Sequence, residues 1–200
     1  MIKLPFVLTF CILLPLLSVG QSYSEEIKKY QEQLNTEYKD PKESPLEKKE
    51  RRKFTGHPFF PIDESYRVEA RFKKLDDPMT FKMKTSTDRQ PVYDKYAIAE
   101  FELQGRIFHL TIYQSHRLRE MEEYKNHLFL PFTDLTNGDE TYGGGRYLDL
   151  EIPTGDTVII DFNKAYNPYC AYSHKYSCPI PLEENDLDIR IEAGIKSPKD

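Results

Sequence analysis

Two stretches of the chain gather residues capable of chemistry and break the regular alternation around them. In residues 132–147, Asp134, Thr136, Asn137, Thr141 and Tyr142 lead into Gly143-Gly144-Gly145-Arg146. Successive glycines permit left-handed backbone angles and let main-chain N–H groups approach a ligand, and a guanidinium offers a planar fork to carboxylate or phosphate. The stretch therefore has the makings of an anion cradle. It is no P-loop, since it lacks the Gly-Lys-Ser/Thr ending and leads into a strand rather than a helix. The competing reading is a flexible turn whose Arg146 pairs with Asp134 or Asp149.

The second stretch, residues 161–181, carries Asp161, Asn163, Tyr166, Asn167, Cys170, Tyr172, His174, Tyr176 and Cys178 among three prolines. It is longer than a connector needs. Cys170 and Cys178 invite a disulfide in an oxidising compartment, where closing so short a loop contributes roughly 2–3 kcal/mol. A metal site at Cys170, His174 and Cys178 competes with it, because thiolate and imidazole are good zinc ligands, but it needs a fourth ligand from elsewhere. A nucleophilic Cys170 activated by His174 is the third reading; spacing of four on a non-helical loop guarantees no contact. Asp161, Asn163 and Asn167 suit side-chain bonds to the local backbone. His57, before Pro58-Phe59-Phe60-Pro61, reads as a packed histidine, and His116 and His127 flank a charged surface excursion. No His-Glu-x-x-His or Gly-x-Ser-x-Gly pattern is present.

The elements that must position these loops are mostly strands. Lys3, an apolar run from Leu4 to Leu17 broken by two prolines, and Ser18-Val19-Gly20 have the order of a cleavable signal peptide over residues 1–20. Cys11 leaves with it, and the product is expected to be periplasmic or secreted, with no membrane span. Residues 21–53 read as a helical segment: one helix starts at Ser24 with Ile27, Tyr30, Leu34 and Tyr38 on one face, and another is capped by Ser44 with Pro45 and Glu47. Residues 54–200 read as one mainly β domain. Tyr66 to Phe72, Met79 to Met83, and Ala97 to Ile112 around Gln104-Gly105 alternate with period two, the last as a tight hairpin. A second hairpin is expected from Tyr147 through Pro153-Thr154-Gly155-Asp156 to Ile160, with short strands at His127 to Phe132 and Leu187 to Glu192. About eight strands with no intervening helix predict an antiparallel β-sandwich or partly open β-barrel. With 28 basic against 33 acidic residues and no basic stripe, nucleic-acid binding has no electrostatic support.

Phe129-Leu130-Pro131-Phe132, Thr141-Tyr142-Gly143-x-Gly145-Arg146-Tyr147, Asp161-Phe162-Asn163-x-Ala165-Tyr166-Asn167-Pro168, Cys170-Ala171 and Cys178-Pro179-x-Pro181 resemble the bacterial family catalogued as domain of unknown function 1684. The likeness spans about residues 25–195, with Tyr169 and Leu182 where that family often has Pro. It implies membership of an uncharacterised group and supplies no reaction, substrate or cofactor. The two loops are expected to pack together as a pocket rim. Three functions follow. In a binding module for a small polar or anionic ligand, Arg146 and the glycine backbone are donors, and Tyr166, Tyr172 and Tyr176 are walls. In an extracytoplasmic hydrolase, metal-dependent or not, Asp134 or Asp161 is the acid or base. In a purely structural role, Asp161, Asn163 and Asn167 hold the long loop.

Overall fold

The computed structural model describes residues 18–198. The expected leader therefore lies outside the described residues, Cys11 included, except for Ser18-Val19-Gly20, which open the first helix. That helix, α1, is Ser18–Lys39, and it starts earlier than the Ser24 signal suggested. Its stripe at Tyr23, Ile27, Tyr30, Leu34 and Tyr38 recurs at helical spacing, and Tyr23, Ile27 and Tyr38 are buried. The Tyr23 hydroxyl donates to Asp161 Oδ1 at 2.9 Å and the Tyr30 hydroxyl to the Lys164 carbonyl at 2.8 Å, which fixes the helix across one end of the sheet. The expected second helix shrinks to α2, Lys48–Arg51, with Glu47 rather than Ser44 at its start. Ser44 donates instead to the Tyr38 carbonyl, ending α1. Charged residues with no apolar face gave this segment nothing to dock.

The strands are β1 (Arg67–Lys74), β2 (Thr80–Lys82), β3 (Val92–Leu103), β4 (Arg106–Ser115), β5 (His127–Asp134), β6 (Arg146–Glu151), β7 (Thr157–Asp161) and β8 (Asp186–Leu187), with a short helix α3 (His116–Arg119) after β4. They form one mainly antiparallel sheet in the order β6-β5-β4-β3-β1-β7, with β2 added on β3 and β8 parallel to β5. The β3–β4 hairpin turns at Gln104 and Gly105, both at positive φ, as a two-residue primed turn requires. The second expected hairpin does not form. Consecutive β6 and β7 lie at opposite edges of the sheet, β6 on β5 and β7 on β1. A flat array of six strands would set its edges about 24 Å apart, whereas the five residues between these strands reach at most about 20 Å. The sheet must curl, and it does so into a half-barrel.

Period-two alternation then gives the sheet two buried faces. Leu110, Ile112, Leu128, Leu130, Phe132, Leu148 and Ile160 fill the concave side with Phe162. Tyr93, Tyr113, Phe129 and Tyr147 point the other way and form a second cluster with Met83 and Cys178. The expected strand from Leu187 to Glu192 is cut to β8, because Arg146 takes up the carbonyls of Ile191, Ala193 and Ile195 that a ladder would use. Among the described residues no helix is long and apolar enough to cross a membrane.

Candidate functional site

Residues 132–147 close on themselves. Arg146 starts β6 with its side chain fully buried, and its guanidinium donates to Asp134 Oδ2 at 2.8 Å, to the Ala193 carbonyl at 2.6 Å and to the Ile191 carbonyl at 2.8 Å. The rings of Phe132 and Phe60 stand 5.3 and 6.0 Å from its central carbon. Asp134 Oδ1 accepts from the Thr136 amide and hydroxyl and from the Ile191 amide. Thr141 is buried against the Thr136 hydroxyl, and Asn137 spans to the Tyr142 carbonyl. The expected anion donor is thus a structural ion pair, the partner being Asp134 and not Asp149. Burial draws the Arg146 pKa down while Asp134 opposes the drop.

The glycines serve packing rather than ligand approach. Only Gly145 of the three has positive φ, and a Cβ there would fall 2.7 Å from both the Phe132 carbonyl and Pro181 Cγ. A Cβ at Gly143 would meet only Gly138, at ordinary van der Waals distance. Gly145 lets the two loops meet, and the Tyr142 hydroxyl lies 3.9 Å from Cys170 Sγ at the same seam.

Residues 161–181 divide in two. The first part is structural: Asp161 Oδ1 accepts from Tyr23 and from the Asn163 amide, Asn163 bridges to the backbone of Asp63 in both directions, and Asn167 donates to the Lys196 carbonyl. The second part walls a cavity of about 570 Å³. From it come Tyr166, Tyr169, Tyr176 and Cys178; strands β5 and β6 supply His127, Phe129, Tyr147 and Asp149; α1 supplies Tyr30, Leu34, Glu37 and Tyr38. Tyr93 and Tyr124 complete a set of eight tyrosines out of the chain's 14. Desolvation raises the phenols of Tyr30, Tyr38 and Tyr147 above their ordinary value, so they stay protonated at neutral pH.

One hydrogen-bonded set crosses this wall. Asp149 accepts from the Tyr166 hydroxyl at 2.8 Å and bonds His127 Nε2 at 2.8 Å, while His127 Nδ1 is buried without a partner. Of the residues singled out from sequence for ligand contact, Tyr166 and Tyr176 line the cavity; Asp134, Thr141, Tyr142, Gly143, Gly145, Arg146, Asp161, Asn163, Asn167 and Tyr172 do not. His127 and Asp149 were the omissions. Their signal lay in the strand register, where Phe129 opposes Asp149 and Pro131 opposes Tyr147, putting His127, Phe129, Tyr147 and Asp149 on a face that solvent would not favour.

Cys170 and Cys178 stand side by side as thiols, the Cys170 amide donating to Cys178 Sγ at 3.1 Å. A hydrogen bond from the Cys178 thiol holds Cys170 down at about 6, and the Cys178 thiol is pushed up correspondingly. His174 stands apart, in a surface hollow with Glu47 and Glu50. Among the described residues no three His, Cys, Asp or Glu side chains are grouped to hold a metal ion, so the Cys170, His174 and Cys178 set is not assembled. His57 packs edge-on among Tyr38, Phe54 and Tyr172, and burial lowers its pKa to about 4.

Residues 52–196 match the family model described as "Protein of unknown function (DUF1684)". A solution NMR structure of the uncharacterized protein from gene locus rrnAC0354 of Haloarcula marismortui, an archaeon, is similar at 33% identity with a TM-score of 0.67, covering 88% of this chain and 95% of that one. No curated protein matches the chain. The chain belongs to the DUF1684 family.

Proposed function

We propose that this DUF1684 protein is an exported binding protein whose small organic ligand occupies the cavity between α1, the β5–β6 face and residues 166–179. The cavity itself carries the reading: at about 570 Å³ it has the size of a small-molecule site, with apolar aromatic walls and a few convergent polar groups. Tyr166, Asp149 and His127 supply those groups. An anion is disfavoured as the ligand, since among the described residues no Lys or Arg lines the wall and Glu37 and Asp149 do. Export rests on the order of charge, apolar run and small residues over positions 1–20. Amino-terminal sequencing of protein recovered outside the cytoplasm is expected to begin at Gln21.

The cavity is tested by a thermal-shift screen of small molecules against the wild type and Leu34→Trp. The indole fills space between α1 and β5, so compounds that raise the melting temperature of the wild type are expected to have no effect on the variant. Compounds that stabilise both equally would place binding elsewhere and refute the reading.

One observation favours a hydrolase as the second reading. The His127–Asp149 pair at the cavity wall has the arrangement of a carboxylate-oriented imidazole, as a general base requires. Its test is hydrolysis of a panel of activated esters and amides: turnover abolished by His127→Gln supports it, and absence of turnover by the wild type sinks it.

A further inference from the structure

We infer that the cavity selects an organic cation, an amine or quaternary ammonium group, by caging it in aromatic faces beneath two carboxylates; this rests on the cavity being a ligand site, as proposed above. The walls are built from rings set nearly at right angles to one another. Tyr169 meets Tyr176 at 68° and Tyr38 at 74°, and Tyr147 meets Phe129 at 77° and Tyr166 at 89°. Rings packed in this way line the cavity from several sides, and aromatic walls are what hold ammonium groups in cation–π cages.

Three of the lining hydroxyls are already engaged by the protein: Tyr30 donates to the Lys164 carbonyl, Tyr147 to the Pro179 carbonyl and Tyr166 to Asp149. The charges agree. Among the described residues Glu37 and Asp149 line the cavity, and no Lys or Arg does. Arg89 and Arg117 act on Tyr93 through space without lining the wall, and Arg89 is bonded to the Ser177 hydroxyl and carbonyl. An anion would lose its hydration against ring faces and carboxylates with nothing in return, whereas a bulky cation exchanges a weak hydration shell for both.

The experiment titrates the full-length mature protein, by calorimetry, with choline and with its uncharged carbon isostere dimethylbutanol, which has the same shape. Choline is expected to bind about tenfold more tightly than the isostere, and Glu37→Gln to shrink that preference. Glu37 is half-buried on α1 and among the described residues its side chain accepts only from Gln33, so the variant tests charge with the fold intact. Equal affinity for the two compounds, a preference untouched by Glu37→Gln, or binding of neither compound overturns the cation inference. The cavity reading is judged separately by the Leu34→Trp comparison, and a neutral compound that Leu34→Trp excludes would leave the cavity standing while removing the cation.

Discussion

Residues 132–147 and residues 161–181 both interrupt the strand alternation, but the first closes around its own charges while the second holds aromatic faces open to a cavity. The difference lies in where the polar atoms find their partners. Arg146 and Asp134 are answered by Thr136, by each other and by the carboxyl-terminal segment at Ile191 to Ile195, deep inside the protein. Asp149, half-exposed, is answered by Tyr166 and His127 from two different elements, and the His127 ring keeps one nitrogen unmatched. Residue types suited to grip a ligand are equally suited to grip the chain. Only the position of the partners separates the two uses.

The comparison breaks first at Asp134. Asp134→Ala leaves a guanidinium buried without its counter-charge, and such changes cost about 3–5 kcal/mol, so the urea midpoint is expected to collapse. A variant that stays folded and loses ligand binding instead would return residues 132–147 to the role of binding loop.

Acid probes the other region through His57, which packs on Tyr172. Its pKa falls from an ordinary 6.5 to about 4 because burial penalises the charged form. The folded state therefore binds the proton less well than the unfolded one, so this contribution is complete above pH 6.5 and is lost as the pH falls from there toward 4. The full loss is about 3 kcal/mol. Unfolding free energies of wild type and His57→Phe measured between pH 7 and pH 4 are expected to show a flatter profile in the variant; parallel profiles would show that His57 is not the titrating group.

Tyr166→Phe should have the smallest effect on the fold. It removes one hydrogen bond to a half-exposed carboxylate, worth about 0.5–1 kcal/mol of stability, while freeing His127 and Asp149 to reorient. Ligand affinity is expected to drop by more than stability does. Equal losses would assign Tyr166 to the scaffold and narrow the contrast between the loops.

How far this was legible in the sequence depends on the element. Gln104-Gly105 between alternating strands encodes a hairpin locally, and the hairpin is there. Pro153 to Asp156 looks like another turn, yet its strands part to opposite edges, because pairing partners 86 to 94 residues away in β1, not the turn, decide where β7 lies. Arg146 among glycines was ambiguous in principle, since a buried ion pair and an anion cradle share one composition. The cavity was hidden for a different reason. Its polar groups sit at alternate positions of β5 and β6, where His127 and Asp149 look like ordinary surface, and the cavity exists only once a helix and a loop dock beside them.

The helix that forms one wall also fixes the order in which the molecule can be completed. Tyr23 waits for Asp161, 138 residues further on, and Tyr30 for Lys164, 134 further on. A chain emerging from its amino-terminal end makes α1 first and can seat it only after the strand and loop that receive it have formed. The apolar stripe of α1 must therefore be tolerated unpaired through most of synthesis, and its docking is a late, long-range step. Ligand binding would then read out completion: a chain stopped before β7 has the side chains of α1 and of β5–β6 but lacks residues 166–179, and encloses no cavity.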